Sequence, residues 1–267
     1  MPQSKKVKAV LFDLGETLLN YGRFSTIKMF REGARSSYKF LQNCGYSLGS
    51  FEFYCWRNLL ALWLRRILYR IRGQDFNSLV LFRSIGRKKR INLDKYQWQE
   101  FAWQWYQPLF RIAYIEPETI KTMSSLRKMG LKLGIVSNTF VNGNTLEKHL
   151  EQVGLLEFFT VRLYSCEFDF RKPDARIFKI AARKIGEDFE NILFVGDRIE
   201  YDIRPTLKLG MKTVVKSAYT NTAKRVPFGA RRIKSLSELP SIIEKINIEL
   251  DKGHHNRNVG RVDNQRN

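Results

Sequence analysis

Three short apolar runs in this chain stop abruptly at residues that are small, hydroxyl-bearing or acidic. Residues 7–12 lead to Asp13, 131–136 to Ser137, and 192–195 to Gly196 and Asp197; a fourth run spans 212–215. Runs of this length, rich in Val, Ile, Leu and Phe, are the pattern of parallel strands buried on both faces. Between them lie helical stretches at 119–129, 146–153, 174–185 and 201–209, and each is followed by a glycine, at 130, 154, 186 and 210. Glycine just past a helix is C-terminal punctuation, because the chain often leaves the helix through a left-handed residue. Strand alternating with helix predicts an α/β fold, a Rossmann-like doubly wound parallel sheet.

Residues 20–117 break that rhythm. Ile27, Phe30, Ala34, Tyr38 and Leu41 recur at three- and four-residue steps, which marks an amphipathic helix, and 51–71 and 96–106 also read as helical. The expected organisation is therefore a core of residues 1–19 and 118–250, an all-α cap over 20–117 ending near Pro117, and a disordered tail over 251–267. The cap carries 17 basic against 6 acidic residues, within a chain of net charge +21. Such a field attracts anions, whether a phosphorylated metabolite, nucleic acid or an acidic surface. The run Arg87, Lys88, Lys89, Arg90 and the tryptophans 98, 103 and 105 could serve a nucleic acid, but no fingerprint of a nucleic-acid-binding fold accompanies them. The spacing of Phe101, Trp105 and Leu109 instead suits a packed helix.

Cys44, Cys55 and Cys166 are widely separated, which suits neither a zinc site nor a disulfide framework. The most apolar stretch, 59–64, is closed by Arg65 and Arg66, far short of the ~20 residues needed to span a bilayer. The first residues reach Asp13 before a signal-length apolar segment forms, so a cytoplasmic protein is expected. Oligomeric state has no signature in the sequence.

The ends of parallel strands line up on one edge of a sheet, so Asp13, Ser137 and Asp197 should converge there with Lys172 and Asp202. Phosphoryl transfer needs this inventory: a nucleophile, a cation against the transferring oxygens, a metal to gather charge and a donor to fix orientation. A carboxylate can attack phosphorus, and Mg2+ prefers oxygen ligands, for which Asp13, the Gly15 carbonyl, Asp197 and Asp202 are candidates. Strand-end Asp and Ser are also ordinary turn and cap residues.

Taken in order, FDLGETL, IVSN, RKPDARIF and FVGDRIEYD resemble the four motifs of the haloacid dehalogenase superfamily, over roughly residues 6–220. The resemblance implies Asp13 as nucleophile, Ser137 and Asn138 as phosphate contacts, Lys172 as the bridging lysine, and Asp197 with Asp202 as acids on the metal side. It also implies a small phosphorylated substrate and a mobile cap that sets specificity. Gly15 departs from the pattern, since most phosphatases of that superfamily place a second aspartate there as general acid and base. This leaves Glu16 as a partial substitute pointing elsewhere, a substrate with a good leaving group, or a weak catalyst that binds a polyanion. The dehalogenases of the superfamily also lack that aspartate, but they work without a metal, and the acids of GDRIEYD count against that chemistry.

Overall fold

The computed structural model describes the backbone of residues 6–262 and the side chains of residues 6–251. Six strands, β1 (Ala9–Phe12), β2 (Lys132–Ser137), β3 (Val161–Tyr164), β4 (Ile192–Gly196), β5 (Lys212–Lys216) and β6 (Ala230–Ile233), form one sheet in the order β3-β2-β1-β4-β5-β6. All neighbours run parallel. The four strands expected from the apolar runs occupy the centre. The two edge strands, VRLY and ARRI, escape that reading because each carries arginine. Charged residues are tolerated on an edge, where they also discourage pairing with a further chain.

Four helices follow β1: α1 (Thr26–Asn43), α2 (Phe51–Ile71), α3 (Ser78–Lys88) and α4 (Lys95–Ile112). They enclose a core of their own, built on Ala34, Leu41, Tyr54, Phe82, Trp98 and Phe101. Gly33 lets α1 approach α4 closely, since a Cβ there would lie 2.5 Å from the Trp105 carbonyl oxygen. Trp98 and Trp103 are buried, and Trp105 stacks on Phe82 at 4.9 Å. These rings are packing residues, Trp98 lying against Gly86 just before the Arg87–Arg90 run.

The chain leaves and re-enters the sheet domain side by side. Asn20 and Tyr114 exchange two backbone hydrogen bonds, of 2.8 and 2.9 Å, beside the boundaries expected at 20 and 117. Just beyond, Glu116 pairs with the buried Lys216 at 2.6 Å and accepts hydrogen bonds from Ser235 and Leu236. Burial works against charge on Glu116, but these partners prevail and hold its pKa below the ordinary value.

Helices α5 (Thr119–Lys128), α6 (Gly143–Gln152), α7 (Ala175–Ile185), α8 (Arg204–Lys208) and α9 (Leu239–Val262) cover the sheet. Phe12, Ile135 and Val195 point into one layer with Leu150 and Ile243; Leu11, Val136 and Phe194 point into the other with Phe178 and Ala181. The glycine at position 186 has φ +71°, a conformation that suits the exit from α7. Asp174 is the N-cap of α7, its side chain accepting the Arg176 N–H. Within the stretch from 251 expected as a disordered tail, the α9 backbone runs on to Val262. Extending a helix already anchored by packed Ile243 and Ile246 is far cheaper than nucleating one, even through a polar stretch. Residues 263–267 lie outside the described residues. No described helix is long and apolar enough to cross a membrane, and the three cysteines are free.

Candidate active site

In the observed strand order the connections diverge between β1 and β4, and a doubly wound sheet opens a crevice at such a point. Asp13 follows β1, its N–H bonded to the Val195 carbonyl at 2.8 Å, and Asp197 follows β4. Ser137 ends β2. All three side chains are buried at the floor of a cavity of about 540 Å³.

Lys172 reaches this floor from the loop before α7. Its ammonium donates to Asp13 Oδ1 at 2.6 Å and to the Val136 carbonyl at 2.8 Å, and pairs with Asp202 Oδ1 at 2.6 Å. Asn138 holds the lysine in place: its Nδ2 donates to the Lys172 carbonyl and its Oδ1 accepts the Lys172 N–H, both at 2.8 Å. Both ends of the amide are thus used on the Lys172 main chain, which leaves one Nδ2 hydrogen and the Asn138 main-chain N–H for other partners.

Asp202 sits in the turn after β4, with Oδ2 accepting the Arg198 N–H at 2.9 Å. Gly196 makes that turn possible: a Cβ there would lie 2.6 Å from Asp202 Oδ2. Asp197 accepts from Thr220 Oγ1 and has Arg198 at 3.5 Å, while Asn221 ties its carbonyl to the loop after β5.

Carboxylate oxygens of Asp13, Asp197 and Asp202 lie within 4.8 Å of one another. Three buried carboxylates face one buried ammonium. Burial, followed by the charge of Asp13, pushes Asp197 well above the usual carboxylate range, and burial likewise raises Asp202 against the pull of Lys172. Burial opposes charge on Lys172, but Asp13 and Asp202 outweigh it and lift its pKa to about 12. The lysine therefore stays charged, and at the floor of the cavity one ammonium still faces three carboxylates. A hard divalent cation with oxygen ligands fits this donor set. Asp13, Asp197 and Asp202 all offer oxygens to it, Asp202 with Oδ1 beside Lys172 and Oδ2 on the Arg198 N–H.

Gly15 leaves space beside Asp13, since a Cβ would meet only Tyr21 Cε2, at 3.9 Å. Glu16 does not fill it. With φ +57° this residue turns its carboxylate onto the N–H groups of Tyr21 and Gly22, at 3.0 and 3.1 Å, and so secures the loop. Its pKa is raised by burial.

Several parts of the site had no legible signal in the sequence. Asp75, between α2 and α3, accepts from Ser165 at 2.6 Å and from Arg171 at 2.9 Å, latching the helical domain onto the sheet domain across 96 positions of sequence. Phe76 stacks on Phe140 beside it, with ring centres 5.6 Å apart. Tyr21, Tyr106 and His149 form a buried hydrogen-bond chain, each link 2.8 Å, from the cavity wall into α6. The one available hint was the polar cluster at 220–222 after β5, which supplies Thr220 and Asn221.

A parallel 3-2-1-4-5-6 sheet, a helical insertion after its first strand and an acidic cluster with a buried lysine define the capped Rossmann-like α/β class. Residues 7–206 match the haloacid dehalogenase-like hydrolase family, and the chain belongs to it. It is 35% identical over 134 residues to the glyceraldehyde 3-phosphate phosphatase of Methanocaldococcus jannaschii, covering 49% of this chain and 57% of that protein. The protein of the same name from Methanopyrus kandleri is 29% identical over 78% of this chain and 83% of its own length. Among solved structures, a haloacid dehalogenase-type phosphatase from Thermococcus onnurineus shares the fold at a TM-score of 0.56, with 24% identity over 89% of this chain and 98% of that one.

Proposed function

We propose that this protein is a Mg2+-dependent phosphatase that cleaves a small phosphomonoester through an aspartyl-phosphate. The observation that carries the reading is Lys172, held 2.6 Å from both Asp13 and Asp202 within the acidic cluster. The similarity to proteins named as phosphatases supports the same reaction.

In this reading Lys172 occupies Asp13 Oδ1 and leaves Oδ2 to attack. The Oδ2–P bond forms as the bond to the ester oxygen breaks, and the leaving alkoxide takes its proton from water. Water then attacks phosphorus, releases phosphate and restores Asp13. Ser137 and the Asn138 N–H orient the phosphate, and Lys172 offsets repulsion between Asp13 and the incoming dianion. Asp13, Asp197 and the Gly15 carbonyl would hold Mg2+, with Asp202 fixing Lys172 and the adjoining turn. Bound there, the ion supplies neutralising charge for the phosphate oxygens.

No acid stands at position 15 to protonate the leaving group, so turnover should depend steeply on leaving-group pKa. The test is a series of aryl and alkyl phosphates, with and without Mg2+, on wild type and Asp13→Asn. Metal-dependent activity lost in Asp13→Asn supports the reading. Failure to turn over even the best leaving group, or survival of activity in Asp13→Asn, refutes it.

A further inference from the structure

Helix α2 buries only Tyr54, Cys55, Asn58 and Leu62. Its outward face, at three- and four-residue steps, is Phe53, Trp56, Leu60, Trp63, Ile67 and Ile71. Trp56 and Trp63 are 60% and 57% exposed, and Ile27 on the neighbouring α1 is 72% exposed. An uncovered apolar stripe of this length is unusual on a protein surface and marks a site of contact. Arg57 and Arg70 flank it, and the outward face itself is apolar.

Between α1 and α2 this face folds into a groove of about 340 Å³ whose wall is almost wholly apolar, including Ile27, Phe30, Leu60 and Trp63. The groove abuts the active-site cavity. Arg66, Phe76 and Phe140 line both. Arg66 and Arg70, one turn apart, line the cavity without an acidic partner among the described residues. From Trp56 to Arg66 the helix spans about 15 Å, enough for an extended alkyl chain of roughly a dozen carbons.

We propose that the substrate is an amphiphile, a phosphomonoester of a long-chain alcohol, with its phosphate at Asp13 and its apolar tail in the groove between α1 and α2. This rests on the phosphatase reading for the head group. Cationic walls at the cavity and an apolar trough leading from it match the two ends of one such molecule. A second copy of this chain suits the stripe less well, because two faces each rimmed by Arg57, Arg66 and Arg70 would repel. An alkyl and an isoprenyl tail share this chemistry and are separated by comparing the two at equal carbon number.

The experiment measures kcat/KM for ethyl, butyl, hexyl, octyl and decyl phosphate, below their aggregation limits, so that the leaving alkoxide is chemically alike throughout. Each methylene entering the groove should help, and decyl phosphate should exceed ethyl phosphate at least tenfold. Trp63→Glu should collapse that ratio towards one. A flat series in the wild type overturns the proposal. So does a dimer by light scattering that Trp63→Glu dissociates, since the groove is then covered by a second copy.

Binding is read without turnover on Asp13→Asn, through quenching of tryptophan fluorescence by decyl phosphate brominated along its tail. Quenching that weakens in Trp56→Phe and Trp63→Phe supports the groove even where no substrate is hydrolysed, and that combination rejects the phosphatase reading alone. Turnover of short phosphates with neither chain-length dependence nor quenching rejects the groove alone.

Discussion

Asn138 grips the main chain of Lys172 at both ends of its amide, donating from Nδ2 to the carbonyl and accepting the N–H at Oδ1, each at 2.8 Å. The strand-end asparagine thus fixes the loop that delivers the ammonium to Asp13, 159 positions away in sequence.

Asn138→Ala should lower kcat about 10- to 100-fold with little change in KM, because a loosened lysine harms the charged transition state more than ground-state binding. Two lost hydrogen bonds should also cost about 1–3 kcal/mol of stability. Steady-state kinetics beside a denaturant titration check both. A variant that lost stability but kept wild-type kcat would remove the positioning role.

Gly15→Asp should raise turnover of poor leaving groups, since the site has room for the side chain beside Tyr21. General acid catalysis is typically worth ~10²–10⁴-fold, so a gain of tenfold or more on alkyl phosphates is expected, and little on p-nitrophenyl phosphate. Equal effects on both substrates would show that the new carboxylate does not reach the leaving oxygen.

Removing the metal should make stability depend on pH. Asp197 and Asp202 have folded pKa values above the unfolded carboxylate value. The folded, metal-free protein therefore holds more protons than the unfolded chain above about pH 4, and its stability falls as pH rises through the folded pKa values. Mg2+ should displace those protons and oppose the loss. The rise in Tm on adding Mg2+ should be larger near pH 8.5 than near pH 6, measured against an EDTA control. A gain independent of pH would mean that the ion binds elsewhere.

His149 gives a separate acid limit. Burial against Phe110 and Tyr106 depresses its pKa to about 4, below an unfolded value near 6.5. Between those values the unfolded chain binds the extra proton, so stability is full above about pH 6.5 and declines as pH falls towards 4, by up to about 3 kcal/mol. Denaturant midpoints across that range should show the decline, and His149→Gln should flatten it. An unchanged slope in the variant would place the acid sensitivity in another group.

The sequence by itself carried the class of the fold and the chemical inventory. Four apolar runs and four closing glycines were enough for the central strands and their helices, because burial on both faces and left-handed helix exits are local demands that each segment meets alone. Asp13, Ser137 and Asp197 were legible because a parallel sheet brings strand ends together whatever the detail of packing, and Lys172 and Asp202 through the motifs that carry them.

Tertiary structure decided what each group is free to do. Asn138 holds Lys172, Glu16 holds its own loop, and of the α4 tryptophans Trp98 and Trp105 pack inside the helical domain while Trp103 joins the core against the sheet. Partners 34 to 159 positions apart leave no local trace, and the edge strands were hidden because an edge tolerates arginine. The same holds for α2, whose helical pattern was plain while the face left open, beside the catalytic cavity, was settled only by which four residues the neighbouring helices cover.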